Sequence, residues 1–195
     1  MPQVEPRTQR QRSEATRSAL IAAARSLFAD QGFHATTAEQ VVRRAAVTSG
    51  AMYHHFADKR GLFRAAFEAV EIALADRVRT AALRGADPWD GLERGVREYL
   101  HACTEADVRQ IVLVDGPSVL GWEAWRAADA QHHLRPLAAS LKSAMRAGLM
   151  ARRPARPLAR LLIGALTEAG LAAAGERDAN EAATLWLLRR LRTPP

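Results

Sequence analysis

The 195-residue sequence predicts an all-α protein. Apolar residues recur at three- and four-residue spacing along most of its length, which is the period of an amphipathic helix. Helix-capping side chains, glycines and prolines separate these stretches, as Asp87 and Pro88 do after Gly85. The residues from Ile111 to Val114 have strand-like composition, but no partner strand is evident elsewhere in the sequence. These observations favour a small N-terminal helical domain followed by a larger helical domain.

The N-terminal residues 1–12 are predicted to form a disordered basic arm. They lack apolar periodicity and carry three arginines among Pro and Gln, namely Arg7, Arg10 and Arg12. Such an arm could touch DNA phosphates, or it could be a solvated terminus without a role. From Ser13 the apolar pattern predicts a first helix that ends at Gly32. Residues 13–60 are predicted to form the small domain around this helix.

Two short helices separated by a tight turn are predicted to follow the first helix. Thr37 and Gln40 have the spacing of a capping box, which marks the start of the first short helix. Ala46 and Val47 form the turn, and Thr48 can cap the second short helix. This layout is typical of a helix-turn-helix, in which one helix presents the next to a DNA groove.

The second short helix is predicted to place small and hydrogen-bonding side chains outward, because Met52 and Phe56 can turn inward together. Glycine permits close approach to DNA, and hydroxyl groups can donate to phosphate. The positive charge of Lys59 is expected to point outward at the far end of this unit. A surface helix of no special use is the alternative. The candidate DNA-binding residues are Thr37, Thr48, Ser49, Gly50, Ala51, Tyr53, His54 and Lys59.

The remaining residues, 61–195, are predicted to form the larger domain. Asp58 can cap a fourth helix of about twenty residues, which is long enough to leave one domain and enter the other. Pro117 and Asp178 mark the starts of later helices. The apolar periodicity predicts helices over residues 88–103, 105–117, 117–125, 134–149, 158–172 and 178–191.

Composition and charge restrict the function classes. The formal net charge of +7 favours a polyanionic partner such as nucleic acid, although an arginine-rich coding bias is a second source of basicity. Cys103 is the sole cysteine, which excludes an intramolecular disulfide and a multi-cysteine metal site. The N-terminal residues lack the apolar core of a secretory signal, and the most apolar run falls short of the ~20 residues that span a bilayer. We therefore expect a soluble, cytoplasmic protein without membrane contact.

Aromatic residues with polar neighbours could line a ligand cavity in the larger domain. Tryptophans at helical spacing are equally expected of a plain core. Asp115 would be costly to bury unpaired, unless it serves a helix end near Pro117. Because His132 and His133 point about 100° apart on an α-helix, a joint metal site is not expected. The candidate ligand-binding residues are Trp89, Tyr99, Asp115, Trp122, Trp125, His132 and His133.

The first third of the chain contains an ordered set of residues that is specific in its spacing: Gly32-Phe33, Thr36-Thr37, Val47, Gly50, Tyr53, His55-Phe56, Lys59 and Leu62. This set resembles the N-terminal domain of the TetR-type bacterial transcriptional regulators. Two positions depart from the family pattern. Ala46 stands where the family usually has glycine, and Ala51 stands where many members have a threonine that touches DNA.

The resemblance implies a ligand-responsive regulator, most often a repressor, that binds a palindromic operator in double-stranded DNA as a homodimer and is not an enzyme. It implies that a small-molecule effector shifts the fourth helix. The cluster of tryptophans, Tyr99 and the two histidines suits an effector that is apolar or aromatic with one or two polar groups. It also implies that helices within residues 132–150 and 156–175 pair with their copies. The candidate dimer residues are Leu141, Met145, Leu161, Ala165, Glu168, Ala169 and Ala172. Packing inside one chain is the alternative for the small residues.

Two other functions stay open. A constitutive DNA-binding protein would have the same helix-turn-helix without an effector. An α-helical enzyme is disfavoured, because the sequence contains no nucleophile, base and orienting group at credible spacing, no phosphate-binding loop and no metal-ligand cluster. No cofactor and no metal are expected.

Overall fold

The computed structural model describes residues 8–172 and 174–193, and in that part of the chain it confirms the all-α prediction. Two π-helical segments, Val108–Asp115 and Ala130–Leu134, continue directly into α-helices, and a short 3-10 turn spans Ala174–Glu176. The α-helices of these residues are α1 (Gln9–Ala35), α2 (Ala38–Ala45), α3 (Ser49–His55), α4 (Lys59–Leu83), α5 (Pro88–Ala102), α6 (Gly116–Leu120), α7 (Trp122–Asp129), α8 (Arg135–Arg146), α9 (Ala155–Leu171) and α10 (Arg177–Arg189).

The helix starts follow the capping residues that the sequence predicts. Thr37 Oγ1 accepts from the Gln40 backbone N–H at 3.3 Å, and the Thr37 N–H donates to Gln40 Oε1 at 2.7 Å. Asp58 Oδ1 accepts from the Gly61 N–H at 2.7 Å at the start of α4. Asp87 caps α5 in the same way, with Pro88 in the first turn. Each bond satisfies a backbone donor that the first helical turn leaves free.

Helix α1 begins earlier than predicted. Thr8 and Gln11 form a complete capping box, so the helix starts at Gln9. The predicted disordered arm is therefore wrong for residues 8–12, and residues 1–7 lie outside the described residues. The chain kinks at Gly32, whose φ of +77° suits glycine, and then continues helically to Ala35.

The segment 105–117 is helical as predicted, but its central residues form a π-helix rather than an α-helix. The predicted helix from Pro117 to Trp125 is divided at Gly121, where φ is +86°. Glycine adopts this angle without a steric penalty, so the chain turns there between α6 and α7.

The long helix α4 lies at the centre of the fold. Leu62 and Phe63 at its N-terminal end are fully buried, and the Phe63 ring packs edge-on against Phe28 of α1 with centroids 5.2 Å apart. Further along, Ala82 of α4 lies so close to α5 that a Cβ at Gly91 would approach its carbonyl oxygen to 2.7 Å. One helix thus packs against both halves of the chain, and the domain division between residues 60 and 61 stays a prediction.

Among the described residues, no helix is at once long enough and apolar enough to cross a membrane.

Candidate functional site

The turn between α2 and α3 depends on a left-handed backbone at Ala46. Its φ and ψ are 53° and 43°, and its N–H donates to the carbonyls of Val42 and Arg43 at the end of α2. Among the described residues Ala46 is the only non-glycine with a positive φ. The turn conformation explains why glycine is the usual residue at such a position.

Helix α3 presents a polar outer face. Met52 and Phe56 are buried as predicted, whereas the Tyr53 side chain is 58% exposed. Ser49, Gly50 and His54 are also exposed, and Ala51 is half-buried. A small, polar surface of this kind can approach another molecule closely.

Two candidate contact residues, Thr37 and Thr48, also serve as helix caps. Thr48 Oγ1 accepts from the Ala51 N–H at 3.2 Å, as Thr37 Oγ1 does from Gln40. A hydroxyl that accepts at its oxygen keeps its own hydrogen for donation. Both threonines are exposed, so they can cap a helix and donate to a phosphate at the same time.

Lys59 does not point outward, and the predicted placement of its charge is wrong. Its Nζ donates to the carbonyls of Phe33 and Thr36 at 2.9 Å each and lies 4.2 Å from the centroid of the Phe33 ring. The carbonyls at the end of α1 lack helical partners, and the first turn of α4 brings the ammonium group beside them. Lys59 therefore fastens α1 to α4.

Exposed arginines lie on α2 and in the first turn of α4. Arg44 is paired with Asp30 at 3.5 Å. Arg43 on α2 and Arg60 on α4 are exposed and take part in no salt bridge with the described part of the chain. Sequence reasoning missed both, although Arg60 stands next to the lysine that was chosen.

A half-open cavity of about 450 Å³ lies in the larger helical region, lined by α4, α5, α8, α9 and the π-segment Ala130–Leu134. Most of its wall is apolar, with Val78, Leu92 and Ile163 as examples. The cavity volume is suited to a small organic molecule. The polar or charged side chains of the wall are Asp76, Arg79, Asp87, Tyr99, His132, His133, Ser140 and Ser143.

Three predicted ligand residues line this cavity: Tyr99, His132 and His133. The three tryptophans do not, and that part of the prediction is wrong. Trp89 is buried with its Nε1 donating to Glu93 Oε1 at 2.8 Å, and the buried Trp125 donates to the Val112 carbonyl at 2.9 Å. Trp122 is 63% exposed on the surface.

Asp115 also lies away from the cavity, and it serves no helix end in α6. Its Oδ2 accepts from the Phe33 N–H at 2.8 Å, a donor that the kink at Gly32 leaves free. A second contact nearby is the hydrogen-bonded salt bridge between Arg25 and Asp107. Both tie the π-segment Val108–Asp115 and its flank to α1, a long-range role that local sequence does not show.

His132 and His133 each bind a glutamate of α4. His132 Nε2 lies 2.9 Å from Glu68 Oε1, and His133 Nε2 lies 2.5 Å from Glu71 Oε2. Both histidines stand in the π-segment, whose wider turn lets adjacent rings face the same helix. Glu71 is 1% exposed. Sequence reasoning missed it, although a glutamate on the apolar face of α4, next to Val70, was a visible signal.

Burial changes the acid-base properties around these histidines. It raises the pKa of Asp129, an effect that His133 and Arg126 partly oppose. It raises the pKa of Tyr99 and, to about 12, that of Cys103. The Cys103 thiol is therefore uncharged at neutral pH and unsuited to nucleophilic chemistry.

The candidate dimer residues are divided between core and surface. Leu141 is fully buried inside its own chain, so its predicted role in a dimer contact is wrong. At Gly170 the thin side of α9 packs on Cys103, since a Cβ there would lie 2.9 Å from Sγ. Leu161 is 73% exposed and Glu168 is exposed, whereas four candidates are half-buried: Met145, Ala165, Ala169 and Ala172.

Two family models match most of the chain. Residues 20–66 match the model described as bacterial regulatory proteins, tetR family, and residues 89–191 match the tetracyclin repressor-like C-terminal domain. The TetC protein of transposon Tn10 from Escherichia coli is 27% identical over 58% of this chain. The regulator UidR of Escherichia coli K12 is 32% identical over 41% of it. The matches span 57% and 37% of these two relatives.

Solved structures resemble nearly the whole chain. A TetR-family transcriptional regulator from Pectobacterium atrosepticum is 30% identical, with a TM-score of 0.83 and coverage of 97% of this chain and 100% of the other. RolR in complex with resorcinol has a TM-score of 0.70 at 18% identity, and the match covers 96% of this chain and 97% of the other, which is a likeness of fold.

Proposed function

The chain belongs to the TetR family of bacterial transcription regulators, and on this premise we propose that it is a ligand-responsive repressor that binds a palindromic operator as a homodimer. The observation that carries the proposal is the exposed polar face of α3, held by the turn at Ala46 and centred on Tyr53. Its small residues allow backbone approach to a major groove. We infer that the exposed side chains of Arg43 and Arg60 contact the flanking phosphates.

The cavity supports control by a small molecule. It is mainly apolar with a few convergent polar groups, as ligand sites usually are. RolR, which shares the fold, has been solved with resorcinol bound. We infer that an effector in this cavity weakens operator binding.

Helix α4 is the proposed connection between effector and DNA. It supplies Val78 and Ala82 to the cavity wall, and Lys59 in its first turn holds the end of α1. An effector releases DNA only if it binds the DNA-incompetent conformation more tightly, and a coupling of ~1 to 3 kcal/mol is typical. A tilt of α4 would change the position of α3 through these contacts.

The test compares the DNA-binding affinities of the wild type and of single-residue variants. The probe is a duplex with an inverted repeat taken from the DNA that flanks the protein's own gene, read by fluorescence anisotropy at several salt concentrations. Tyr53→Ala should weaken specific binding about tenfold, because contacts to DNA at one position are worth ~1 to 3 kcal/mol. The exposed position of Tyr53 leaves folding intact.

The matched control is Trp186→Ala, which removes an exposed aromatic side chain from α10. It should bind the duplex as the wild type does. Equal affinity of the wild type for the inverted repeat and for a shuffled duplex would overturn operator recognition. Unchanged affinity in Tyr53→Ala would show that α3 is not the reading helix.

A further inference from the structure

The positive charge of the chain is concentrated in one stretch. Residues 130–167 include seven basic residues and no acidic residue. The whole chain has 28 lysines and arginines against 21 acidic residues, so outside this stretch the two numbers are equal. The stretch forms the π-segment Ala130–Leu134, α8, the loop that follows it and most of α9. Its basic residues are Arg135, Lys142, Arg146, Arg152, Arg153, Arg156 and Arg160.

Four of these cations line one open groove of about 520 Å³ between the last turns of α8 and the following loop. We call it the α8 groove. The four cationic side chains are exposed, and the apolar part of the wall is small. The lining residues are Ala139, Lys142, Met145, Arg146, Arg152 and Arg153.

No acidic side chain compensates these charges within the described part of the chain, where none of the four cations takes part in a salt bridge. Arg146 Nε donates to the Lys142 carbonyl at 3.4 Å, and Arg153 Nη1 donates to the Arg152 carbonyl at 3.2 Å. Backbone carbonyls accept hydrogen bonds but carry no net charge, so the four like charges repel one another across the groove. An anion that enters the groove would remove this repulsion.

The α8 groove lies far from the DNA-binding face. Helix α8 places Ser140 and Ser143 in the cavity wall beside Leu83, the last residue of α4. The first turn of α4 lies at the helix-turn-helix, and a helix of 25 residues is about 37 Å long. Operator DNA bound at α3 therefore does not cover the groove, and a separate ligand can occupy it.

We propose that the α8 groove binds a small ligand with two or more linked phosphate groups, such as a nucleoside triphosphate or inorganic tripolyphosphate. Three of its four cations are arginines, whose planar guanidinium groups donate two parallel hydrogen bonds to one phosphate. A single phosphate leaves most of the four charges unmatched, whereas linked phosphates bring several negative charges close together. The groove volume suits a molecule of nucleotide size.

This inference goes beyond the proposed function, because it needs neither an operator nor an effector in the cavity. The experiment titrates four probes into the full chain by calorimetry at about 0.15 M salt: tripolyphosphate, ATP, inorganic phosphate and citrate. Tripolyphosphate should bind at least tenfold more tightly than inorganic phosphate or citrate, because its linked groups meet several cations at once. Equal binding of ATP and tripolyphosphate would identify the phosphate chain as the recognised part, and tighter binding of ATP would identify a nucleotide; both support the proposal.

Two double variants remove the two sides of the groove in turn: Lys142→Ala/Arg146→Ala on α8 and Arg152→Ala/Arg153→Ala on the loop. Each should weaken tripolyphosphate binding at least tenfold, because two of the four cationic contacts are lost. The four side chains are exposed, so the melting temperature should stay close to that of the wild type and report an intact fold.

The matched control is Arg64→Ala/Arg84→Ala, which removes the same charge from exposed positions on α4 and at its C-terminal end. Its affinity for tripolyphosphate should stay within about twofold of the wild type, because salt screens charges that lie far from the groove. An equal loss in the control and in the groove variants would show an effect of net charge alone and would overturn the inference.

Other results would overturn it as well. They are no binding of tripolyphosphate and ATP, citrate binding as tight as that of tripolyphosphate, or unchanged affinity in both groove variants. A loss confined to Arg43→Ala/Arg60→Ala would place the anion on the DNA-binding face. If the groove variants lose affinity for a non-specific DNA duplex while tripolyphosphate does not bind, the groove is a nucleic-acid surface and the inference is wrong.

Discussion

Ala46 adopts a left-handed backbone that is unfavourable for any residue with a Cβ. Such a conformation costs an L-residue ~1 to 2 kcal/mol, and glycine avoids this cost. Glycine also makes the unfolded chain more flexible, which lowers the free energy of unfolding by ~0.4 to 1 kcal/mol. Ala46→Gly should therefore raise the free energy of unfolding by about 0.5 to 1 kcal/mol. Urea denaturation measures this, with an unchanged m-value expected.

The neighbouring residue gives an opposite control. Ala45 is the last residue of α2, and glycine in a regular helix costs ~0.5 to 1 kcal/mol. Ala45→Gly should lower the free energy of unfolding by about that amount. If Ala46→Gly is destabilising as well, the backbone at Ala46 is not strained.

At single residues the sequence predicted what depends on near neighbours. Thr37, Thr48 and Asp58 act on backbone groups within three residues, and their capping roles are confirmed. Lys59 and Asp115 act on backbone groups of α1 far away in sequence, and no local pattern shows such partners. The predicted outward position of Lys59 and the predicted position of Asp115 at a ligand cavity or helix end were wrong for that reason.

The junction between α1 and α4 depends on Lys59. Lys59→Ala removes two hydrogen bonds from a charged group, which are worth ~1.5 to 3 kcal/mol each when they are buried. Because Lys59 is only half-buried, we expect a smaller loss of about 2 kcal/mol in unfolding free energy. Operator affinity should fall because α1 no longer holds the unit in place. The salt dependence of binding should stay unchanged, since the ammonium group is already bonded to the carbonyls of Phe33 and Thr36.

Arg60→Ala is the matched variant next to Lys59, and it should behave in the opposite way. Its exposed side chain contributes little to stability, within about 0.5 kcal/mol. As a phosphate contact it should lower the slope of log K against log salt by about 1. A reduced slope in Lys59→Ala instead would restore Lys59 as a direct DNA contact.

At the level of helices, periodicity identified the elements but not which face each one buries. Trp89, Trp122 and Trp125 have the same spacing signal, yet one lies on the surface and two in the core. The π-segments were not predicted either, because the apolar spacing of the sequence was interpreted only with the α-helical period. One of these segments places both His132 and His133 in the cavity wall.

Across the whole molecule, α4 contributes residues to each site that the proposed function uses. Its first turn fastens the helix-turn-helix, its middle carries Glu68 and Glu71, and its last turns line the cavity. The sequence predicted this long helix and its bridging position from apolar spacing. It could not show that His132 and His133 would pair with glutamates of this helix.

The proposed homodimer needs an apolar surface on α9. The side of this helix that faces away from its own chain carries an exposed stripe at three- and four-residue spacing: Leu161, Gly164, Glu168 and Leu171. No atom of another helix lies within 4 Å of a Cβ built at Gly164, so a partner helix can approach closely there. Two copies joined here would present two α3 helices to half-sites ~34 Å apart or a multiple of it.

Leu161→Arg is the variant that tests this surface. An arginine at this position would replace an apolar contact by a charge that loses its water on association, which should weaken association at least a hundredfold and leave a monomer in light scattering. Leu187→Arg makes the same change at an exposed leucine of α10 and should remain dimeric. Because each chain reads one half-site, the Leu161→Arg monomer should also lose most of its preference for an inverted repeat over a single half-site. A Leu161→Arg protein that stays dimeric would place the pairing surface elsewhere on the molecule.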